Sequence, residues 1–192
     1  MNDPRTQTQR ASIAVVGNAR LPEGDIRERL AFGIGARLID QGFRLVTGGM
    51  GGVMEAAHRG ARSSGKWFHG AGIGILPGSD RSQANPFVDI AIPTGLDHLR
   101  NSVVAHADAV IAVGGGAGTL SEVALAWNYG RLVIGLRCPG WSGRLADAPV
   151  DERRRYPLIA GDRVYGADTP GEAVTLVEDL LGAYSRSRKS IG

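Results

Sequence analysis

The sequence predicts an α/β fold with a single doubly wound, mostly parallel sheet and helices on both faces. Short, almost continuously apolar runs alternate along the chain with longer segments in which apolar residues recur at helical spacing. Strands of a parallel sheet read as continuous apolar runs because helices cover both of its faces. Clusters of glycine also stand where two of the runs pass into a helix, as they do at the carboxyl end of such a sheet.

The elements follow from these patterns in chain order. The predicted strands are residues 12–17, 43–49, 71–77, 88–94, 108–115 and 132–137. The predicted helices are residues 25–41, 52–64, 97–106, a segment that follows Thr119, and 170–183. The last helix is placed by Pro170, since proline is well suited to a first helical turn.

A chain of 192 residues is the right length for one domain, and we expect that domain to span residues 12–184. Residues 1–11 read as a flexible polar N-terminus, and residues 185–192 as a basic tail. Residues 138–161 form one long irregular segment, rich in proline and glycine. Such a segment is either a functional lid or a peripheral excursion, and the sequence favours the excursion.

Composition excludes several classes of function. The net charge is only +3 and aromatic residues make up 6%, so a basic stripe with interleaved aromatics for nucleic acid is not expected. No apolar run approaches the roughly 18 residues of a membrane span, and the polar start does not resemble a signal peptide. We therefore expect a cytoplasmic protein that binds neither nucleic acid nor membrane.

Disulfide and metal chemistry are not expected either. Cys138 is the single cysteine, so no internal disulfide forms and no cysteine-based metal cluster is expected. The four histidines lack the spacing of a metal site. They are His58, His69, His98 and His106.

Two glycine clusters carry the functional signal. They read "TGGMGGVMEAA" at residues 47–57 and "AVGGGAGTLSEVALAW" at residues 112–127. Each lies between a predicted strand and a predicted helix, where backbone N–H groups and the helix dipole favour an anion. We expect them to hold a phosphate group, although tight turns alone would also use glycine. The candidate phosphate-binding residues are Gly49, Gly51, Gly52, Gly115, Gly116, Gly118 and Thr119.

Neither cluster matches the usual nucleotide motifs. The chain has no G-x-x-x-x-G-K-[ST], and no G-x-G-x-x-G follows the first strand. An ordinary dinucleotide dehydrogenase is therefore a third candidate only, to be tested by NADH fluorescence.

Glu122 and Arg100 are the candidate catalytic residues. Glu122 completes the pattern T-x-x-E with Thr119, which is also the pattern of a helix-capping box and recurs at Thr169 and Glu172. Glu122 is therefore either a cap or a carboxylate beside the sugar of a bound ligand. Arg100 is either a solvated helix residue or directed at the site, where it would lower the pKa of Glu122 and hold it ionised.

The segment "GGGAGTLSE" at residues 114–122 resembles the P-G-G-x-G-T-x-x-E signature of the LOG family, the cytokinin riboside 5'-monophosphate phosphoribohydrolases. The segment "GGMGGVMEA" at residues 48–56 is similar to the first glycine motif of that superfamily, and the resemblance extends over roughly residues 13–136. It implies a Rossmann-like fold, with Arg100 pairing with Glu122 in catalysis. Gly114 and Asn101 depart from the phosphoribohydrolases, which have proline and typically lysine there, and look more like the molybdenum cofactor carrier proteins.

The leading expectation is thus a protein that binds a phosphorylated nucleotide-like or pterin-like molecule, resembling the molybdenum cofactor carriers. The alternative is a phosphoribohydrolase that releases a free base from a nucleoside 5'-monophosphate. Neither requires a cofactor, although molybdopterin or a nucleotide is a candidate ligand. The resemblance also implies a homodimer or homotetramer.

Overall fold

A computed structural model describes residues 10–189, with side chains as far as Ser187. Residues 1–9 and 190–192, which include most of the expected polar N-terminus and the end of the expected basic tail, lie outside the described residues. The described residues form one seven-stranded sheet in which every pair of neighbouring strands is parallel. The strands are β1 (Ser12–Gly17), β2 (Arg44–Thr47), β3 (Gly72–Leu76), β4 (Ile90–Pro93), β5 (Ala109–Val113), β6 (Leu132–Leu136) and β7 (Val164–Ala167).

The strand order is β4-β3-β2-β1-β5-β6-β7, so the order reverses between β1 and β5 at the middle of the sheet. The helices are α1 (Ile26–Asp40), α2 (Val53–Ser63), α3 (Asn101–Ala105), α4 (Ala117–Asn128), α5 (Trp141–Leu145) and α6 (Pro170–Lys189). Two 3₁₀ turns lie at Arg81–Gln83 and Asp97–Arg100.

The core has two layers, one on each face of the sheet. Alternate side chains of β1 enter opposite layers, because successive residues of a strand point to opposite faces. Ile13 and Val15 pack with α1, α2 and α6 on one face. Ala14 and Val16 pack with α3 and α4 on the other. The predicted α/β fold is therefore confirmed, and the sheet is parallel throughout.

The structure adds two elements that the sequence analysis did not predict. Strand β7 is only four residues long, and its two middle residues, Tyr165 and Gly166, are partly exposed, so it gives no apolar run long enough to identify. Helix α5 is a five-residue helix inside the segment that was predicted to be irregular. A short helix without a full apolar stripe has no periodicity to detect.

Three predicted helices have different limits. Residues 97–106 are a 3₁₀ turn followed by the short helix α3, with Asp97 at a positive φ of 48°. Helix α4 begins at Ala117, before Thr119 rather than after it. Helix α6 begins at Pro170 as predicted but continues to Lys189, so most of the expected tail is helical.

The segment 138–161 is packed on the domain at both ends. At its start, Ser142 is buried against the second glycine cluster. Near its end, Arg155 forms a buried two-pronged ion pair with Asp162 and donates to the carbonyl oxygen of Trp127. The Arg155 guanidinium also lies 3.4 Å from the centre of the Trp127 ring, a favourable cation–π position.

Candidate functional site

The sheet brings both glycine clusters to one edge. Residues 48–52 (the first glycine loop) follow β2, and residues 114–116 (the second glycine loop) follow β5 and lead into α4. Strand β1 lies between β2 and β5, so Asn18, which follows β1, stands between the two loops. The carboxyl edge of an open parallel sheet, where the strand order reverses, is the usual ligand-binding position of such folds.

The first glycine loop is shaped by contacts within the chain. Gly49 and Gly52 have φ of 73° and 63°, a region that favours glycine. A Cβ on Gly49 would stand 2.6 Å from Leu76 Cδ2, and one on Gly52 would overlap the carbonyl oxygen of Asn18. Asn85, which lies outside the loop in sequence, supports it: the backbone N–H of Asn85 donates to the carbonyl oxygen of Gly49, with 2.9 Å between nitrogen and oxygen. Gly49 and Gly52 are therefore required by the fold whether or not they touch a ligand.

A buried histidine supports the same loop. Thr47 Oγ1 accepts a hydrogen bond of 2.9 Å from the N–H of Gly49 and lies 2.9 Å from His58 Nε2. Burial lowers the pKa of His58 to about 4, so His58 is neutral at physiological pH. Among the described residues, no group of three or more His, Cys, Asp or Glu side chains is placed to hold a metal ion.

The second glycine loop uses two of its N–H groups internally. Gly114 and Gly115 have φ of 66° and 94°. The N–H of Gly114 donates to Ser142 Oγ at 2.7 Å, and the N–H of Gly115 donates to Asn18 Oδ1 at 2.7 Å. These two glycines shape the loop, and their N–H groups already have acceptors.

The N-terminus of α4 is different, because nothing in the chain requires its glycines. Gly116, the N-cap residue, and Gly118 have no positive φ, and a Cβ on either would meet none of the described residues within 4 Å beyond its chain neighbours. No side chain caps the helix. The N–H groups of Ala117, Gly118 and Thr119 begin the helix and have no intrahelical acceptor. This end of α4 is therefore an open donor site of the kind that binds anions.

Arg100 and Glu122 form an ion pair beside this site. Arg100 Nη1 lies 3.1 Å from Glu122 Oε1, and the two side chains are only 12% and 8% exposed. A Cβ on Gly48 would stand 2.5 Å from the nitrogens Nη1 and Nη2 of Arg100, so the guanidinium lies against the first glycine loop. Arg100 Nε is buried and has no hydrogen-bond partner among the described residues. Both residues are catalytic candidates in the sequence, and the structure brings them together.

The electrostatics of Glu122 differ from the expectation. Burial raises the pKa of Glu122 to about 7, although the charge of Arg100 and its hydrogen bond oppose this shift. Arg100 lowers the pKa of Glu122, as expected, but desolvation of the carboxylate outweighs this effect, so Arg100 does not hold Glu122 fully ionised. Near neutral pH, Glu122 can either hold or release a proton.

Glu122 is not a helix cap. The N-cap of α4 is Gly116, three residues before Thr119, so the pattern T-x-x-E lies one turn inside the helix. At Thr169 and Glu172 the same pattern does close a helix start: Thr169 Oγ1 accepts from the N–H of Glu172, and Glu172 Oε2 accepts from the N–H of Asp168. The difference is the position of the pattern relative to the helix start, which spacing alone does not reveal.

Three supporting residues were missed. Asn18 accepts from Gly115, Ser142 accepts from Gly114, and Asn101 donates 2.7 Å to Ser121 Oγ on α4. Asn18 had one usable signal, since it directly follows the first strand at the edge where both clusters lie. Ser142 lies in the segment that the sequence favours as a peripheral excursion. Asn101 is noticeable in the sequence only because the phosphoribohydrolases typically have lysine at that position.

The described helices include none that is both long enough and apolar enough to cross a bilayer. This finding concerns residues 10–189 alone.

Comparison with known proteins gives consistent results. The sequence profile of the SLOG cluster4 family matches residues 10–162. An uncharacterized protein of Archaeoglobus fulgidus is 37% identical over 163 residues, which cover 84% of this chain and 91% of that protein. The molybdenum cofactor binding protein of Rippkaea orientalis is 32% identical with a TM-score of 0.73, over 91% of this chain and 99% of that one.

A second structural relative points the same way. The molybdenum cofactor carrier protein of Chlamydomonas reinhardtii is 31% identical with a TM-score of 0.69, again over 91% of this chain and 99% of that one. The matched residues include both glycine loops and the Arg100–Glu122 pair. The chain belongs to the SLOG cluster4 family, and its fold is that of the molybdenum cofactor carrier proteins.

Proposed function

We propose that this protein binds a phosphorylated, pterin-like or nucleotide-like small molecule, as a carrier of the molybdenum cofactor type. The observation that carries the proposal is the open N-terminus of α4. Neither the backbone conformation nor packing within the chain requires glycine at positions 116 and 118. Glycine at such positions leaves room for a ligand to approach the backbone closely. The similar proteins of Rippkaea orientalis and Chlamydomonas reinhardtii, named for molybdenum cofactor binding and carriage, support the choice of ligand.

The phosphate would be held by the N–H groups at residues 116–119. Gly118 supplies clearance as well as a donor, and Thr119 supplies its backbone N–H, because its side chain is buried against Gly115. Gly115 gives the loop its shape, since its own N–H is bound to Asn18. The first glycine loop, with Gly49, Gly51 and Gly52, forms the opposite wall of the site. Molybdopterin carries a phosphate group that suits these donors, and a carrier would hold it as cargo rather than as a resident cofactor.

The alternative function is that of a phosphoribohydrolase, and the raised pKa of Glu122 supports it. A carboxyl group that titrates near pH 7 can activate water or stabilise the positive charge that develops when the bond between ribose and base breaks. Arg100 would orient Glu122 through the bond between Nη1 and Oε1. Under this alternative the product is a free base.

One set of measurements separates the two functions. The purified protein is titrated by calorimetry with inorganic phosphate, AMP, a cytokinin riboside 5'-monophosphate and molybdenum cofactor. Each nucleotide mixture is also incubated and analysed for free base by chromatography. The carrier function predicts saturable binding of the cofactor, competition by phosphate, and no base. Release of base that Glu122→Gln abolishes would replace the carrier by the hydrolase, and binding of none of the four would overturn both.

We propose further that a second copy of the chain covers an apolar face beside the site, giving a homodimer or homotetramer in the cytoplasm. Most of the large apolar side chains that are exposed in the described residues lie between residues 90 and 103. They are Ile90, Ile92, Leu96, Leu99 and Val103. Ile90 and Ile92 lie on the edge strand β4, where no helix covers them. Large apolar side chains exposed together in one part of a domain are typical of protein–protein contacts.

A further inference from the structure

We infer, on the basis of the proposed function, that Asn18 binds the ligand directly: its side-chain Nδ2 donates a hydrogen bond to the phosphoryl group of the ligand at the junction of the two glycine loops. Neither glycine motif includes Asn18, and its one signal in the sequence is its place directly after the first strand. Four features of its surroundings lead to this assignment.

The orientation of the Asn18 amide is fixed by its partners. Oδ1 lies 2.7 Å from the backbone nitrogen of Gly115 and 3.1 Å from Arg27 Nη1. A backbone N–H and a guanidinium can only donate, so the atom that faces both must be the oxygen of the amide. The amide nitrogen consequently occupies the other position.

Arg27 is itself held in place. Its Nε donates to Asp25 Oδ1 at 2.8 Å and its Nη2 to Asp25 Oδ2 at 2.5 Å. Bonding to Arg27 lowers the pKa of Asp25 to about 2, so this two-pronged pair persists at physiological pH. The Arg27 side chain also packs on Gly114, where a Cβ would stand 2.5 Å from its Cδ. The Asp25–Arg27 ion pair (the clamp) therefore prevents the Asn18 amide from flipping.

The main chain of Asn18 is fixed as well. Its carbonyl oxygen accepts from the N–H of Val53 at 2.9 Å, at the start of α2. Asn18 thus bonds to the helix behind the first glycine loop through its backbone and to the second glycine loop through its side chain. Both loops would have to shift for this residue to leave the site.

Nδ2 remains available. In the part of the chain that the structure describes, no acceptor pairs with Asn18 Nδ2, and the atom is not among the enclosed polar atoms that lack a partner. It is thus an accessible donor with a fixed position, carried by a half-buried side chain next to the open N-terminus of α4. A pre-oriented neutral N–H donor adds a hydrogen bond to an anionic oxygen with little ordering cost.

The test is the substitution Asn18→Asp. An aspartate still offers an oxygen to Gly115 and Arg27, so the loop and the fold keep their bonds. It cannot donate, and it places a negative charge beside the phosphate. We expect Asn18→Asp to melt close to wild type and to bind inorganic phosphate and AMP at least about tenfold more weakly, since a hydrogen bond to a charged group is lost.

The clamp gives a second test with a matched control. Arg27→Gln releases the amide, whereas Arg29→Gln removes the same charge from an exposed position on α1. We expect the Arg27 variant to bind inorganic phosphate several-fold more weakly than the Arg29 variant. If Asn18→Asp fails to fold, this comparison decides the assignment.

The outcomes separate the assignment from the proposed function. If wild type binds the probes and Asn18→Asp binds them equally well, Asn18 only holds the second glycine loop and the assignment is overturned alone. Equal affinity of the Arg27 and Arg29 variants would overturn it in the same way. If wild type binds neither probe nor molybdenum cofactor, the proposed function and the assignment fail together.

Discussion

The guanidinium of Arg100 lies directly against the backbone of Gly48, where a Cβ atom would stand 2.5 Å from its two terminal nitrogens. The same guanidinium bonds to Glu122 on α4. Arg100 therefore joins the first glycine loop to the helix that begins at the second, and the position of one loop depends on the other. A ligand bound between the two loops would therefore contact residues whose positions are coupled through Arg100.

Gly48→Ala tests this connection. Gly48 has no positive φ, so alanine introduces no backbone strain and its effect passes through Arg100. We expect the displaced guanidinium to lose its bond to Glu122 and phosphate affinity to fall several-fold, because Arg100 then no longer joins the two glycine loops. Calorimetric titration with phosphate measures this. The control is Gly65→Ala, whose Cβ would meet nothing within 4 Å; equal affinities for the two variants would mean that the Arg100 contact has no role in binding.

Gly118→Ala should change stability and binding in opposite directions. Position 118 is helical and its Cβ would project into open space, so alanine should raise the free energy of unfolding by roughly 0.5–1 kcal/mol. The same methyl group would occupy the space of the phosphate and weaken its binding. Urea denaturation and phosphate titration of one preparation measure both effects. Unchanged affinity in a stabilised variant would exclude the start of α4 as the phosphate site.

Glu122 should make stability depend on pH. Its pKa is about 7 in the folded protein, whereas in the unfolded chain it ionises near 4.5. The folded state holds more protons between these values, so this component of the free energy of unfolding is greatest below about pH 4.5 and is lost as pH rises to about 7. Glu122→Gln cannot ionise and lacks the component.

The measurement compares urea denaturation of wild type and Glu122→Gln at pH 5 and pH 8. The variant should gain stability relative to wild type as pH rises. Other titrating groups, such as His58, are common to both proteins and cancel in the difference. Parallel pH profiles would show that Glu122 titrates no differently in the folded protein than in the unfolded chain.

Arg155→Ala should be strongly destabilising. It would leave Asp162 as a buried, uncompensated carboxylate and remove the cation–π contact with Trp127. Breaking a buried ion pair in this way costs about 3–5 kcal/mol. Arg154→Ala, at an exposed neighbouring position, should change stability by less than about 0.5 kcal/mol. Comparable denaturation midpoints for both variants would mean that Arg155 does not anchor the segment 138–161.

Leu99→Asp should disrupt the proposed oligomer. Leu99 is 75% exposed within the apolar face of residues 90–103, so a charge there would be desolvated only if another copy covers it. Leu158→Asp is the control, because Leu158 is 91% exposed in a different part of the chain. Light scattering after size-exclusion chromatography should give a lower mass for the Leu99 variant alone. Identical masses for wild type and both variants would place the interface elsewhere.

The sequence predicted best those strands whose residues are buried on both faces of the sheet. The strands at residues 12–17 and 109–113 are buried on both faces, so their apolar runs were unambiguous. Strand β7 and helix α5 are short and held by tertiary contacts, and so they were missed. The pairing of Arg100 with Glu122 was expected only through a family resemblance, since 22 residues and a complete strand separate them.

The roles of Glu122 and Asn18 were the least predictable features of the site. The pattern T-x-x-E is identical at Glu122 and Glu172, yet only Glu172 is a cap, because the helix starts lie at different distances from the two patterns. The pKa of Glu122 depends on burial, which requires the packed structure. Asn18 is a single asparagine in no motif, and its importance depends on a hydrogen bond to a residue 97 positions away.

That hydrogen bond, between Asn18 and Gly115, has a consequence for synthesis of the chain. The two residues become neighbours only when β5 pairs beside β1, a contact of high sequence separation that forms slowly compared with local structure. A nascent chain emerging from the ribosome would carry the first glycine loop long before α4 exists. Under the proposed function, the binding site would therefore form late and in one step, when the middle of the sheet closes, and an incomplete chain could not bind the ligand.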